Sequence, residues 1–331
     1  MRPIVVLGAG SWGTALAIQF ARSGRPTVLW GRAEDNPAEL ARARRNEQYL
    51  PGIEFPPTLV IEPDLARAVA SGDDLVLVVP SSALRAVLQQ LRPLLQPAAR
   101  VAWASKGFEL STGKLPHQVA REVLGPDVPI AVLSGPTFAR EVGEGLPTAL
   151  AVASTDADFA LKLAKRLSAG SFRAYTQSDI IGVEIGGAVK NVIAIATGGS
   201  DGMGYGSNSR VFLITRGLAE MVRLGVALGA KQETLMGLAG LGDLVLTCTD
   251  DQSRNRRFGR ALASGKPIDQ AIAEIGQVVE GYYAAKAVHM VAKKLGVDMP
   301  ICEYVYQVLY EGMPIPDVVQ SMLSREVTPE N

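Results

Sequence analysis

The chain has 331 residues, about twice the usual size of one domain, so two domains are expected. Hydrophobic residues make up 47% and charged residues 20%, which excludes a disordered chain and provides for sizeable cores. The 33 basic and 33 acidic side chains cancel, so no basic excess marks a nucleic-acid binder, and an anionic substrate must be drawn by a local cluster.

At the N-terminus the apolar run from Ile4 to Leu7 breaks at once into glycines, which is unlike a signal peptide. No stretch is read as approaching the length of a membrane span. Cys248 and Cys302 both lie in mainly apolar stretches and read as packed, reduced thiols. A cytoplasmic protein without membrane contact is expected. The oligomeric state stays open, a homodimer included.

Short β-branched runs predict strands at 3–7, 27–30, 58–61, 75–79, 101–105, 130–133, 149–153 and 172–175. Several are nearly continuous in Val, Leu and Ile, as in parallel strands covered on both faces. Helical patterns lie between most of them, such as 83–95 after the Ser81-Ser82 start signal. The alternation predicts an α/β, Rossmann-type doubly wound domain over residues 1–178. Beyond it the pattern becomes helical at 179–197, 210–228, 231–235, 255–263, 268–275, 281–295 and 301–309. Residues 179–331 are therefore expected to form an all-helical domain, with Gly198-Gly199-Ser200 as a connection.

Gly8-Ala9-Gly10-Ser11-Trp12-Gly13 spells G-x-G-x-x-G directly after the first strand and before a helix. Gly8 suits a tight turn, Gly10 a close approach of pyrophosphate, and Gly13 the packing of helix on strand. The following helix start offers N–H groups and a positive dipole end. In this context the motif predicts dinucleotide binding. A NAD site usually places an acid after the second strand, but here Gly31-Arg32 follows Trp30. Arg32 suits the 2′-phosphate of NADP, although Glu34 and Asp35 could blunt it and an ordinary solvated arginine reads the same way. NADP(H) is the preferred cofactor on this reading, with NAD(H) possible.

Lys190 shares its helix face with Val183, Gly186, Gly187, Ala194 and Thr197. A lysine on so small and apolar a face is either desolvated, with a lowered pKa suited to proton exchange, or snorkels to water. Asp243 closes a glycine-punctuated run from Gly237. Ser253-Arg254-Asn255-Arg256-Arg257 reads as an anion cradle or as a solvated basic helix start. Lys106 falls at the carboxyl edge of the predicted sheet, where ligands of such sheets bind. His117 and His289 lie in no motif that supplies a partner and read as structural or surface residues, and no cluster has the spacing of metal ligands.

Taken together the residues resemble bacterial NAD(P)H-dependent glycerol-3-phosphate dehydrogenase over essentially the whole chain. The resemblance rests on 8–15, Ser105-Lys106-Gly107, LSGPTFA at 133–139, GVEIGGAVKNVIAI at 182–195, 201–206, 214–221, 237–249, SRNRRFG at 253–259 and VVEG at 278–281. It implies reduction of dihydroxyacetone phosphate to sn-glycerol 3-phosphate, supplying phospholipid synthesis, with Lys190 exchanging the proton. It further implies that Lys106, Gly135, Thr137, Lys190, Asp243, Ser253, Arg254 and Asn255 hold the substrate. Gly8, Gly10, Ser11, Trp12, Gly13, Arg32, Lys106, Ala139, Arg254, Val278 and Glu280 are implied for the dinucleotide. Thr137 stands where the family often has Ser. A reductase of a 2-keto or 3-hydroxy acid, or an inactive dinucleotide sensor, are the competing readings from the residues alone.

Overall fold

The first strand, β1 (Ile4–Leu7), consists of Ile, Val and Leu and is buried along its whole length, as a strand covered on both faces must be. In this computed structural model, which describes residues 2–324, it belongs to an eight-stranded sheet. The other strands of that sheet are β2 (Thr27–Trp30), β5 (Leu59–Ile61), β6 (Asp74–Leu77), β7 (Arg100–Trp103), β8 (Ile130–Ser134), β9 (Thr148–Ala153) and β10 (Phe172–Gln177). The order is β10-β9-β8-β7-β6-β1-β2-β5. All eight predicted runs form its strands, with ends displaced by a residue or two.

Two features depart from the expected parallel sheet. β9 pairs antiparallel with β8, so β9 and β10 run against the other six strands. The link from β8 to β9 contains only the short helix Ala139–Glu144, and an antiparallel neighbour needs no crossover over the sheet face. A small antiparallel ribbon, β3 (Arg45–Asn46) and β4 (Leu50–Glu54), was not visible in the sequence because it is short and polar. From it the buried Asn46 donates to the Ala9 carbonyl at 2.9 Å and to Thr14 Oγ1 at 2.8 Å, which ties the ribbon to the glycine loop.

After β10 every described element is helical. The axis of this half is the helix Ile180–Gly202, capped by Asp179, whose side chain accepts the Gly182 N–H at 2.9 Å. Its Ile185, Val189, Val192 and Ile193 share a core with Met221, Leu224, Phe258 and Val288 from the surrounding helices. This helix corrects the reading of membrane-span lengths: its 23 residues include an 18-residue window of mean hydropathy 1.5, long and apolar enough to cross a bilayer. In the fold 89% of that window is buried against protein.

The helix also absorbs Gly198-Gly199-Ser200, which is not a connection. A Cβ on Gly198 would stand 2.0 Å from the Arg256 carbonyl oxygen, so the glycine is what lets the helix Arg254–Ala263 cross at backbone contact. Two further helices went unread in the sequence, Asp243–Thr249 and Ile315–Leu323. The first follows a π-helical turn, Leu238–Gly242, whose glycines conceal the periodicity.

Candidate active site

The carboxyl ends of β1, β2, β7 and β8 carry the glycine loop, Arg32, Lys106 and the Gly135–Thr137 segment, and the Ile180–Gly202 helix packs across the last two. Glycines set how closely it packs. A Cβ on Gly186 would lie 2.2 Å from the Ala239 carbonyl oxygen, and one on Gly187 would lie 3.1 Å from Ser134 Oγ and 3.3 Å from Lys106 Cγ.

One turn beyond Gly187, Lys190 is buried with 7% of its surface exposed, which removes the snorkelling alternative. Its ammonium donates to Asp243 Oδ1 at 2.5 Å and to Thr247 Oγ1 at 2.9 Å. Lys106 donates to the other carboxylate oxygen, Oδ2, at 2.6 Å and reaches the Gly135 carbonyl at 3.5 Å. Asp243 is fully buried. Burial and the neighbouring Lys106 charge draw the Lys190 pKa down to about 8, against the opposing pull of Asp243. An amine poised there can hold or release a proton near neutral pH. Thr247 was not singled out in the sequence; its position one helical turn after Asp243 was the available signal.

Gly135 and Thr137 adjoin Lys106, and Thr137 Oγ1 donates to the Gly135 carbonyl at 3.1 Å. Gly135 has φ +158°, and a Cβ there would lie 2.8 Å from Leu150 Cα. Ser134 Oγ beside them is buried and, among the described residues, has no hydrogen-bond partner.

The basic cradle read at 253–257 is only partly realised. Arg256 turns away and is buried in ion pairs with Asp201, at 2.7 Å, and Asp251, while Arg257 is exposed. The network at the end of the long helix needed a buried cation, and Arg256 supplies it. Ser253 Oγ caps the helix by accepting the Arg256 N–H at 3.2 Å, which leaves its own O–H to donate elsewhere. Asn255 donates to Asn191 Oδ1 at 2.8 Å and accepts the Gly281 N–H at 2.9 Å, with one amide hydrogen uncommitted by these bonds.

Arg254 donates to Gln277 Oε1 at 3.2 Å and, among the described residues, forms no ion pair. Burial holds its pKa below the ordinary value, partly offset by Glu280. Glu280 opens the helix Glu280–Leu295 and accepts a hydrogen bond from Ser81 Oγ at 3.1 Å; burial pushes its carboxyl pKa up. Ser81, on the sheet side, is a residue that sequence reasoning passed over except as a helix start.

At the glycine loop, Gly8 has φ +123°, and a Cβ on it would lie 2.3 Å from the Val78 carbonyl oxygen. A Cβ on Gly13 would meet the Gly8 carbonyl at 1.8 Å, whereas Gly10 has nothing within 4 Å of that position. The helix Ser11–Arg22 starts without a side-chain cap, so its first N–H groups are available to an anion. Trp12 Nε1 is buried and, among the described residues, has no hydrogen-bond partner. Arg32 is 65% exposed just past β2 and lies 3.7 Å from both the Glu34 and Asp35 carboxylates. Ala139 begins its short helix, and Val278 is 40% exposed before Glu280.

Both histidines have carboxylate partners that the sequence did not disclose. His117 Nδ1 lies 2.5 Å from the buried Glu184, which also accepts from Trp103 Nε1 at 3.0 Å and thereby pins the long helix to β7. His289 lies 2.6 Å from Glu303 and stacks on Tyr306 at 3.7 Å. Cys248 and Cys302 are free and buried. Among the described residues no group of three or more His, Cys, Asp or Glu side chains is placed to hold a metal.

Comparison with known proteins matches residues 3–160 to the N-terminus of NAD-dependent glycerol-3-phosphate dehydrogenase and residues 179–320 to its C-terminus. The NAD(P)+ glycerol-3-phosphate dehydrogenase of Aeromonas salmonicida is 57% identical over 324 residues, which are 98% of this chain and 97% of that one. The crystal structure of glycerol-3-phosphate dehydrogenase from Coxiella burnetii superposes with a TM-score of 0.94 at 48% identity, covering 98% of this chain and 99% of that one. The corresponding yeast enzyme, from Saccharomyces cerevisiae, gives 0.84 at 28% identity, covering 98% and 99%.

Proposed function

The chain belongs to the NAD-dependent glycerol-3-phosphate dehydrogenase family, and from that membership we propose a reaction in which Lys190 exchanges the proton on the substrate oxygen. The enzyme interconverts dihydroxyacetone phosphate and sn-glycerol 3-phosphate and uses NAD(P)H. The observation that carries the Lys190 assignment is its burial on Asp243 beside Lys106, with a pKa of about 8.

The residues fit a dinucleotide. Gly10 leaves open space, the helix Ser11–Arg22 has no side-chain cap, and the Trp12 N–H has no partner among the described residues. When bound, the nicotinamide supplies or accepts the hydride. Residues 1–178 would hold it through Gly8, Gly10, Ser11, Trp12, Gly13, Arg32, Lys106 and Ala139, and Arg254, Val278 and Glu280 would close over it from 179–331. Arg32 favours the 2′-phosphate of NADP over NAD, weakened by its two carboxylate neighbours.

In reduction Lys190 protonates the oxygen that becomes the hydroxyl, and in oxidation it takes that proton back. Lys106, with the Gly135 and Thr137 backbone beside it, holds the substrate against Asp243. Arg254, which forms no ion pair among the described residues, and the uncommitted hydrogens of Ser253 and Asn255 would bind the phosphate. The product would feed phospholipid synthesis in the cytoplasm.

The direct test follows NADPH consumption with dihydroxyacetone phosphate, unphosphorylated dihydroxyacetone and 2-keto acids in parallel. Turnover should be confined to the phosphate. Equal handling of the unphosphorylated ketone would remove the phosphate role, and preference for keto acids would sink the reading.

A further inference from the structure

The long helix Ile180–Gly202 ends in an ion-pair network that the proposed reaction does not use. The Asp201 carboxylate, 7% exposed, takes the Arg210 guanidinium on Oδ1 and the Arg256 guanidinium on Oδ2, each at 2.7 and 3.0 Å. Arg256 reaches on through Nη1 to Asp251, in the segment that leads into Ser253, and Asp251 also holds Arg260 at 3.1 Å. The stretch 201–206 shares in the family resemblance, and no role at the site yet accounts for it.

Desolvation offsets much of what a buried ion pair contributes to stability, but such a pair fixes geometry. Geometry is what this contact otherwise lacks. A Cβ on Gly198 would meet the Arg256 carbonyl oxygen at 2.0 Å, and one on Gly259 would meet that of Ile195 at 2.1 Å. The two helices therefore touch through small residues, which by themselves do not fix how far one slides along the other. Two polar ties do so: Asn255 to Asn191 at 2.8 Å, and Arg256 to Asp201. Lys190 and Asp201 lie on one side of the long helix, about three turns apart. Arg254 and Arg256 are two positions apart on theirs, so their side chains leave it in nearly opposite directions. Anchoring Arg256 on Asp201 turns Arg254 the other way, where it meets Gln277 at 3.2 Å.

We propose that Asp201 and Arg256 are positioning residues, which set the distance and direction of Ser253, Arg254 and Asn255 relative to Lys190 and so place the substrate phosphate. The inference rests on the phosphate role proposed for that turn.

The test is steady-state reduction of dihydroxyacetone phosphate by the full-length variants with saturating NADPH. Folded Arg256→Met and Asp201→Asn should each lower kcat/KM about 10- to 100-fold, the scale of a misplacement near 1 Å. The loss should lie in KM, with kcat and the pH midpoint of reduction near 8 little changed. A lost structural brace alone would lower the melting temperature and the active fraction and leave KM where it was. The two substitutions change the local charge in opposite directions, so an effect of charge alone would lower KM in Asp201→Asn. Arg256→Lys keeps the charge but not the fork that spans Asp201 and Asp251, so it should not restore KM. Asp251 is 66% exposed, and Asp251→Asn, which spares the buried pair, should raise KM roughly 2- to 5-fold. KM unchanged in the folded Met and Asn variants, lowered in Asp201→Asn or restored in Arg256→Lys overturns the proposal. If the buried variants do not fold, an unchanged KM in Asp251→Asn overturns it. Arg254→Ala separates the two levels: if it also leaves KM unchanged, the phosphate role of the turn has failed, and if it alone raises KM, only the positioning role has.

Discussion

Lys106 and Lys190 come from the two halves of the chain and end on opposite oxygens of one buried carboxylate, Asp243, at 2.6 and 2.5 Å. Gly187 makes this possible by admitting the Lys106 stem against the long helix. The carboxylate holds both ammonium groups in place, so on the proposed function a substrate oxygen entering here would meet two N–H donors already oriented. Such preorganisation acts without reorganisation during the reaction.

Asp243→Asn should therefore harm both stability and catalysis. It leaves two cationic groups close together with no anion, and breaking a buried ion pair by removing one partner costs about 3–5 kcal/mol. Chemical denaturation should register that loss. The pH at which reduction fails should also move down, because the Asp243 charge is what opposes the lowering of the Lys190 pKa. An unchanged pH profile in a folded variant would show that Asp243 does not govern Lys190.

On the proposed role, reduction requires Lys190 to carry a proton, and oxidation requires it to lack one. With a pKa of about 8, the reduction rate should be full below that pH and fall as pH rises through it, while oxidation should rise over the same interval. Lys190→Ala should bind NADPH normally and lose about 10²- to 10⁴-fold in turnover. Lys190→Arg should not recover it, since guanidinium keeps its proton at working pH. Turnover within a few-fold of wild type would move the proton-transfer role to another group.

Gly198 and Gly199 are neighbours with opposite expectations. A Cβ at position 198 would meet the Arg256 carbonyl at 2.0 Å, so Gly198→Ala should force the two helices apart and cost ~1–3 kcal/mol. At position 199 the nearest atom is 4.0 Å away, and Gly199→Ala should stabilise by up to about 1 kcal/mol through helix propensity. Denaturation curves of the two variants decide it, and equal effects would refute the backbone-contact account.

Arg32 is exposed and lies beside Glu34 and Asp35, so its preference for the 2′-phosphate should be real but modest. Arg32→Asp should raise the KM for NADPH far more than that for NADH. Equal losses with both cofactors would show that Arg32 does not read the 2′-phosphate.

The strands, the glycine loop and the helical second half were legible because each depends on local periodicity and on where glycine stands relative to a strand. β1 is apolar at every position and Gly8 follows it directly, so neighbouring residues alone carry that message. The family resemblance then pointed to Lys190 and Asp243 before any geometry was known. What the sequence by itself could not determine depends on contacts between residues distant in the chain. The direction of β9 was set by its pairing with β8 across a link that holds only a short helix and makes no parallel crossover. Arg256 reads like Arg254, yet it is buried on Asp201 while Arg254 forms no ion pair among the described residues. Gly198 looked like a break because glycine disfavours helices, but the tertiary contact with Arg256 outweighs that propensity. Desolvation acts in the same way at Lys190: sequence placed a lysine on a small apolar face, and only the packing of the two halves around Asp243 fixed how far it is removed from water.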